Sequence, residues 1–195
     1  MKKIILSALF VLFFAASSFA LPQPQARVEQ MVDSILGVLQ QPELSAEEKK
    51  AQVSGRVQEY LNVQSMSRRT LGDHWDSATE DQRQRFSELF VRILEGTYLS
   101  RIEDYSAGTV KYLEQRVKDD KAIIDTLIVS NELEIPVQYK MIYEQGSWQV
   151  FDLVIEGVSL VRNYRSSYGE IIRRKGYDGL LALMDEKVQA MDSSL

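Results

Sequence analysis

The sequence predicts an α+β domain in which helices come first, a four-stranded antiparallel sheet follows, and further helices close the chain. Three observations carry this expectation. Apolar residues before position 106 recur at intervals of three and four. From Thr109 to Ile155 they form short runs split by polar turns, and beyond Gly157 the helical interval returns. Consecutive strands joined by turns this short pair antiparallel, so about six to seven helices would pack with one meander.

The chain opens with Lys2 and Lys3, a nearly unbroken apolar run over 4–16, and small residues at Ser18 and Ala20. A run this long cannot span a bilayer, which takes about 20 residues. Residues 1–20 therefore read as a cleaved signal peptide and 21–195 as a single domain. The chain has no cysteine, so a product free of lipid anchor and disulfide is expected, with a core large enough to hold unaided. After loss of Lys2 and Lys3, 21 basic side chains face 28 acidic ones, a net charge of −7. That balance argues against nucleic acid and against standing adsorption to an anionic membrane.

In the first predicted helix, over 26–39, Val28, Met31, Val32, Ile35, Leu36 and Leu39 share one stripe. Ser45 and Glu48 make a capping box for a second helix running through Val53, Val57 and Leu61. A short helix or turn is expected over 62–72. Thr79 and Gln82 cap the longest helical signal, which carries Phe86, Leu89, Phe90, Ile93, Leu94, Tyr98, Ile102 and Tyr105. Strands are expected over 109–117, 122–130, 135–144 and 147–155. The third alternates cleanly, with Val137, Tyr139, Met141 and Tyr143 on one face and Gln138 and Lys140 on the other. The second and fourth are apolar on both faces. Either helices cover the sheet on both sides, or one face lines an apolar cavity. Leu160, Tyr164, Tyr168 and Ile171 mark the next helix, Gly176 interrupts it, and Leu180, Leu181, Met184 and Val188 mark the last.

Reactive chemistry is sparse. His74 is the sole histidine and reads as a capping or surface residue, so a zinc site of the usual kind is not expected. The sequence contains no nucleophile elbow, phosphate loop or calcium loop. Asp125 and Asp152 lie inside apolar strands. They leave open an enzyme that uses one of them as a base in an apolar pocket, acting on a small apolar substrate. A ligand-free chaperone or interaction domain is a third possibility.

From Trp148 to Arg165 (WQVFDLVIEGVSLVRNYR) the sequence resembles the periplasmic phospholipid carriers of the Mla lipid-asymmetry system, also called the toluene-tolerance family. His74-Trp75 before a helix with Gln82, Arg83, Phe86 and Phe90 agrees with it, as do Pro136-Val137-Gln138-Tyr139 and Leu180-Leu181 after Gly176. The resemblance spans nearly the whole chain after residue 20. It implies a fold like that of nuclear-transport-factor-like domains, with sheet and helices enclosing a long apolar pocket. It implies phospholipid as cargo rather than a cofactor, and no enzymatic activity. Implied partners are an outer-membrane lipoprotein–porin complex and an inner-membrane ABC transporter, met in the periplasm by a monomer that touches membranes through them. The lining expected on this basis is Phe90, Leu94, Tyr98, Ile102, Tyr105, Leu127, Val129, Val137, Tyr139 and Val154. Arg165, with Arg162, is expected near the lipid phosphate, the alternative being a surface salt bridge.

Overall fold

The computed structural model describes residues 23–99, 108–130 and 133–193. The first layer is helical: α1 (Pro24–Leu39), α2 (Ala46–Gln58), α3 (Val63–Leu71), the single turn α4 (His74–Ser77) and α5 (Glu80–Tyr98). Local chemistry fixes their starts. Pro24 opens α1, where its missing N–H costs nothing. Ser45 and Thr79 each complete a capping box, with Glu48 and Gln82 returning a bond to the cap backbone.

Strands β1 (Thr109–Lys118), β2 (Lys121–Ser130), β3 (Leu133–Glu144) and β4 (Ser147–Ile155) then form an antiparallel meander. The sheet has a fifth strand that the sequence did not announce, β5 (Val158–Ser159), paired with the end of β4. Two residues are too few to display a period. Gly157 was expected to turn the chain straight into a helix. It instead completes a two-residue hairpin, with φ of 50° at Glu156 and 80° at Gly157. Positive φ at both central positions is what the right-handed twist of paired strands demands, and glycine meets it without a Cβ clash. The helix α6 (Leu160–Ser193) follows directly and breaks at Gly176 into two segments.

One irregularity decides which residues of β4 face inward. Between β3 and β4 the register shifts, pairing Lys140 with Asp152 but Met141 with Val150. Phe151 is the extra residue, and a single insertion reverses the alternation on either side of it. Trp148, Val150, Leu153 and Ile155 thus all pack with the inner sheet cluster, while Phe151 sits 4.2 Å beneath the Arg69 guanidinium of α3. The apolar character of β4 on both faces comes from this bulge. Strand β2 has no such slip against β3. Its Ala122, Ile124, Thr126 and Ile128 face inward, leaving Ile123, Leu127 and Val129 half-buried on the outer face.

Among the described residues the core divides into three clusters. Met66, Leu71, Phe86, Phe90, Tyr164 and Tyr168 anchor the one between α3, α5 and α6, with ring centroids 5.3–5.8 Å apart for Phe86–Phe90, Phe86–Tyr168 and Phe90–Tyr164. A second joins Val28 and Met31 of α1 to the inner sheet face around Ile124, Tyr139 and Trp148. A third joins Val38 and Leu39 at the end of α1 to Val53 of α2. Arg85 pairs with Asp185 and Arg92 with Asp192 at the same sequence offset, so the last segment of α6 runs parallel to α5.

Candidate functional site: an apolar cavity between α1 and the sheet

The helix α1 meets the sheet at its first turns and parts from it further along. Near its start, the Gln25 amide donates to Gln115 Oε1 at 3.0 Å. Arg27 donates to the Glu59 carbonyl at 3.1 Å and lies 4.0 Å above the Tyr60 ring. Val28 and Met31 are buried against β2–β4. Beyond them the stripe continues through Val32, Ile35, Leu36 and Leu39, and here a cavity of about 300 Å³ opens between helix and sheet. Val110, Ile128, Val137, Tyr139 and Ile155 form the opposite wall, with Ile135. Tyr98, Gly108 and Glu156 complete its outline.

The wall is apolar and its polar groups are placed with restraint. Tyr139 is 6 % exposed. Burial pushes its hydroxyl up to about 12, against a smaller downward pull from a bond with Thr126. Thr126 in turn donates to the Val137 carbonyl at 3.0 Å. The deep end of the cavity is therefore neutral and internally satisfied, as an apolar environment requires. Tyr98 reaches the surface, and burial of the rest of its ring raises its hydroxyl as well. Glu156, exposed at the hairpin, is the one charged side chain among the described residues of the wall.

Of the lining expected from the sequence, Tyr98, Val137 and Tyr139 do line the cavity. Phe90 and Leu94 instead belong to the helical cluster, on a stretch of α5 facing α6 rather than the sheet. Leu127 and Val129 flank Ile128 and so point to the opposite face. Val154 does the same, because the bulge at Phe151 turns Leu153 and Ile155 inward. Arg165 is not at the cavity. Its guanidinium lies over Gly72, where any Cβ would come within 2.6 Å of it, and 3.6 Å from Asp73. With both partners well exposed, this is a surface ion pair of small energetic weight. Arg162 is exposed at the start of α6, its backbone N–H bonded to Ser159 Oγ. Ile102 and Tyr105 lie outside the described residues.

The two strand aspartates have no free carboxylate to offer a substrate. Asp125 accepts from Arg116 at 2.5 Å and Gln138 at 2.7 Å. Asp152 is 3 % exposed and accepts from Lys140 at 3.0 Å, Ser159 at 2.7 Å and the Val161 amide at 3.2 Å. Their cross-strand neighbours Gln138 and Lys140 alternate with Val137 and Tyr139, which places both carboxylates on the side away from the cavity. His74 serves structure: its carbonyl accepts the Tyr177 hydroxyl. Among the described residues no three His, Cys, Asp or Glu side chains gather where a metal could bind, and no helix is long and apolar enough to cross a membrane.

Reading the sequence alone missed the whole contribution of α1, together with Val110, Ile128, Ile135, Ile155 and Glu156. A signal did exist for α1: its apolar stripe is longer than packing on α2 alone requires, since only Val38 and Leu39 bury into that cluster.

Comparison with known proteins bears on this cavity. A family model described as "MlaC protein" matches residues 29–186. The chain is 23% identical over 133 residues to the intermembrane phospholipid transport system binding protein MlaC of Haemophilus influenzae, covering 65% of this chain and 62% of that protein. It is 27% identical over 103 residues to the toluene tolerance protein ttg2D of Pseudomonas putida, covering 52% and 48%. The aligned regions thus span roughly half to three-fifths of those relatives. A phospholipid-binding protein from Ralstonia solanacearum, solved in complex with a phospholipid, shares the fold. Its TM-score is 0.81 at 22% identity, over 88% of this chain and 99% of that one.

Proposed function

The chain belongs to the MlaC protein family, and we propose that it is a periplasmic phospholipid carrier, a binding protein rather than an enzyme. The observation that supports this best is the cavity between α1 and the sheet, whose described wall is apolar apart from Glu156 at its rim. In this reading the acyl tails lie between Ile35 and Leu36 on one side and Ile128 and Val137 on the other. The head group stays at the rim with Tyr98 and Glu156. Residues 1–20 direct export and are removed. The cargo moves between an outer-membrane lipoprotein–porin complex and an inner-membrane ABC transporter.

Energetics limit what such a protein can do alone. Two tails hold about 30 methylenes, each worth roughly 0.8 kcal/mol on leaving water. That sum exceeds the practical ceiling on affinity of about 20 kcal/mol. A lipid drawn from a bilayer has already left water, however, so the cavity need only match the membrane. Exchange is then nearly balanced, and direction comes from partners that bind the loaded and empty forms differently. A volume of about 300 Å³ is also at the low end for ligand pockets, which run to about 1,000 Å³. Accepting two tails requires α1 and the sheet to separate.

Native mass spectrometry of freshly purified protein tests the reading. A phospholipid-sized adduct is expected on most molecules, and a uniformly bare chain would count against it.

A further inference from the structure

We infer that Glu156 sets the head-group preference of the cavity, favouring lipids whose head group carries an ammonium over those with a net negative head group. The inference rests on the carrier reading and goes beyond it, since nothing in an apolar pocket distinguishes one head group from another.

Position is the first argument. Tails enter an apolar space and leave the charged end of the lipid where the wall meets water. The described wall meets water at Tyr98, which is 37% exposed, and at the exposed Glu156, whereas Tyr139 is closed off inside. Among the described residues of the wall, Glu156 is therefore the one formal charge at the emerging head group. Availability is the second argument. Among the described residues its carboxylate has neither a hydrogen-bond nor an ion-pair partner, unlike Asp125, Asp152 and Glu95, each held by two or more donors. Placement is the third. The Glu156 amide donates to the Pro136 carbonyl at 3.0 Å, and its backbone is set by a two-residue hairpin with φ of 50°. Its charge stands on a fixed mount rather than a mobile loop.

The sign follows from chemistry. Every phospholipid brings a phosphate that a carboxylate repels. A zwitterionic head group offsets this by presenting its ammonium to Glu156, and an anionic one has nothing to present. One exposed charge at contact range shifts a binding ratio by about two- to five-fold.

Two substitutions separate charge from shape. Asparagine tolerates the left-handed backbone of the hairpin, so Glu156→Asn removes the charge and keeps the turn, and Glu156→Lys reverses it. Each purified protein is incubated with vesicles of equal phosphatidylethanolamine and phosphatidylglycerol, separated from them, and its extracted lipid quantified. The native protein should carry about a two- to five-fold excess of phosphatidylethanolamine, Glu156→Asn a ratio near that of the vesicles, and Glu156→Lys an excess of phosphatidylglycerol. Equal ratios on all three proteins would overturn the inference and leave the carrier reading standing. Failure of the native protein to load either lipid would overturn both.

Discussion

Replacing Ile128 by glutamate abolishes lipid co-purification, and replacing Leu127 by glutamate does not. The two positions are adjacent on β2 but face opposite sides of the sheet. Ile128 looks across the cavity toward α1. A carboxylate there either stays charged in an apolar space or takes up a proton and leaves a hydroxyl without a partner. The milder outcome costs about 2–4 kcal/mol, and 1.4 kcal/mol is a factor of ten in affinity, so the expected loss is about 30- to 1,000-fold. Ile128 is half-buried rather than enclosed, so the unloaded protein should fold, with the carboxylate reaching water through the cavity mouth. Leu127→Glu places the same charge on the half-buried outer face and should leave the lipid content within about two-fold. Circular dichroism and native mass spectrometry on both variants decide the matter. Equal loss in both would mean that the inner face is not the lipid face.

Substituting Asp152 by alanine has the largest expected effect on stability. The carboxylate ties three elements together: Lys140 on β3, Ser159 on β5, and the first turn of α6 through the Val161 amide. That last bond satisfies one of the free N–H groups that every helix start exposes, and the charge meets the positive end of the helix dipole. Removing one member of a buried, hydrogen-bonded ion pair costs about 3–5 kcal/mol. The Lys140 side chain is 21% exposed and can turn to water, which lowers the expectation to about 2–4 kcal/mol. Asn in place of Asp keeps one acceptor oxygen, which can still take the Val161 amide, while its NH2 stands where Ser159 and Lys140 now donate, so it should lose about half as much. Urea unfolding followed by circular dichroism measures both. A loss below 1 kcal/mol for the alanine variant would remove Asp152 from its structural role.

The elements were legible where their signals are local. Capping boxes at Ser45 and Thr79 marked the starts of α2 and α5, and the alternation of Val137, Tyr139 and Met141 identified the inner face of β3 correctly. The four longer strands fall within two residues of expectation, the largest difference being β3, which begins at Leu133. The site was less legible, for two reasons. In β2 the run from Ile123 to Val129 is apolar apart from Asp125 and Thr126, so hydrophobicity alone does not say which set faces in, and only pairing with β3 shows it. In β4 a bulge at Phe151 exchanges the roles of Val154 and its neighbours, and a bulge leaves no mark on composition. Phe90, Leu94 and Tyr98 share one helical stripe, yet the helix crosses from the α6 cluster to the cavity along its length. Periodicity identifies a face but not what that face meets.

The most direct test of the account is a crystal structure of the lipid-loaded protein. The tails should lie between α1 and the inner sheet face, touching Ile35, Ile128 and Val137, with the head group at Glu156 and the α1–sheet gap wider than in the structure described above. Tails found against the outer face around Leu127, or in the groove between the two segments of α6, would contradict it.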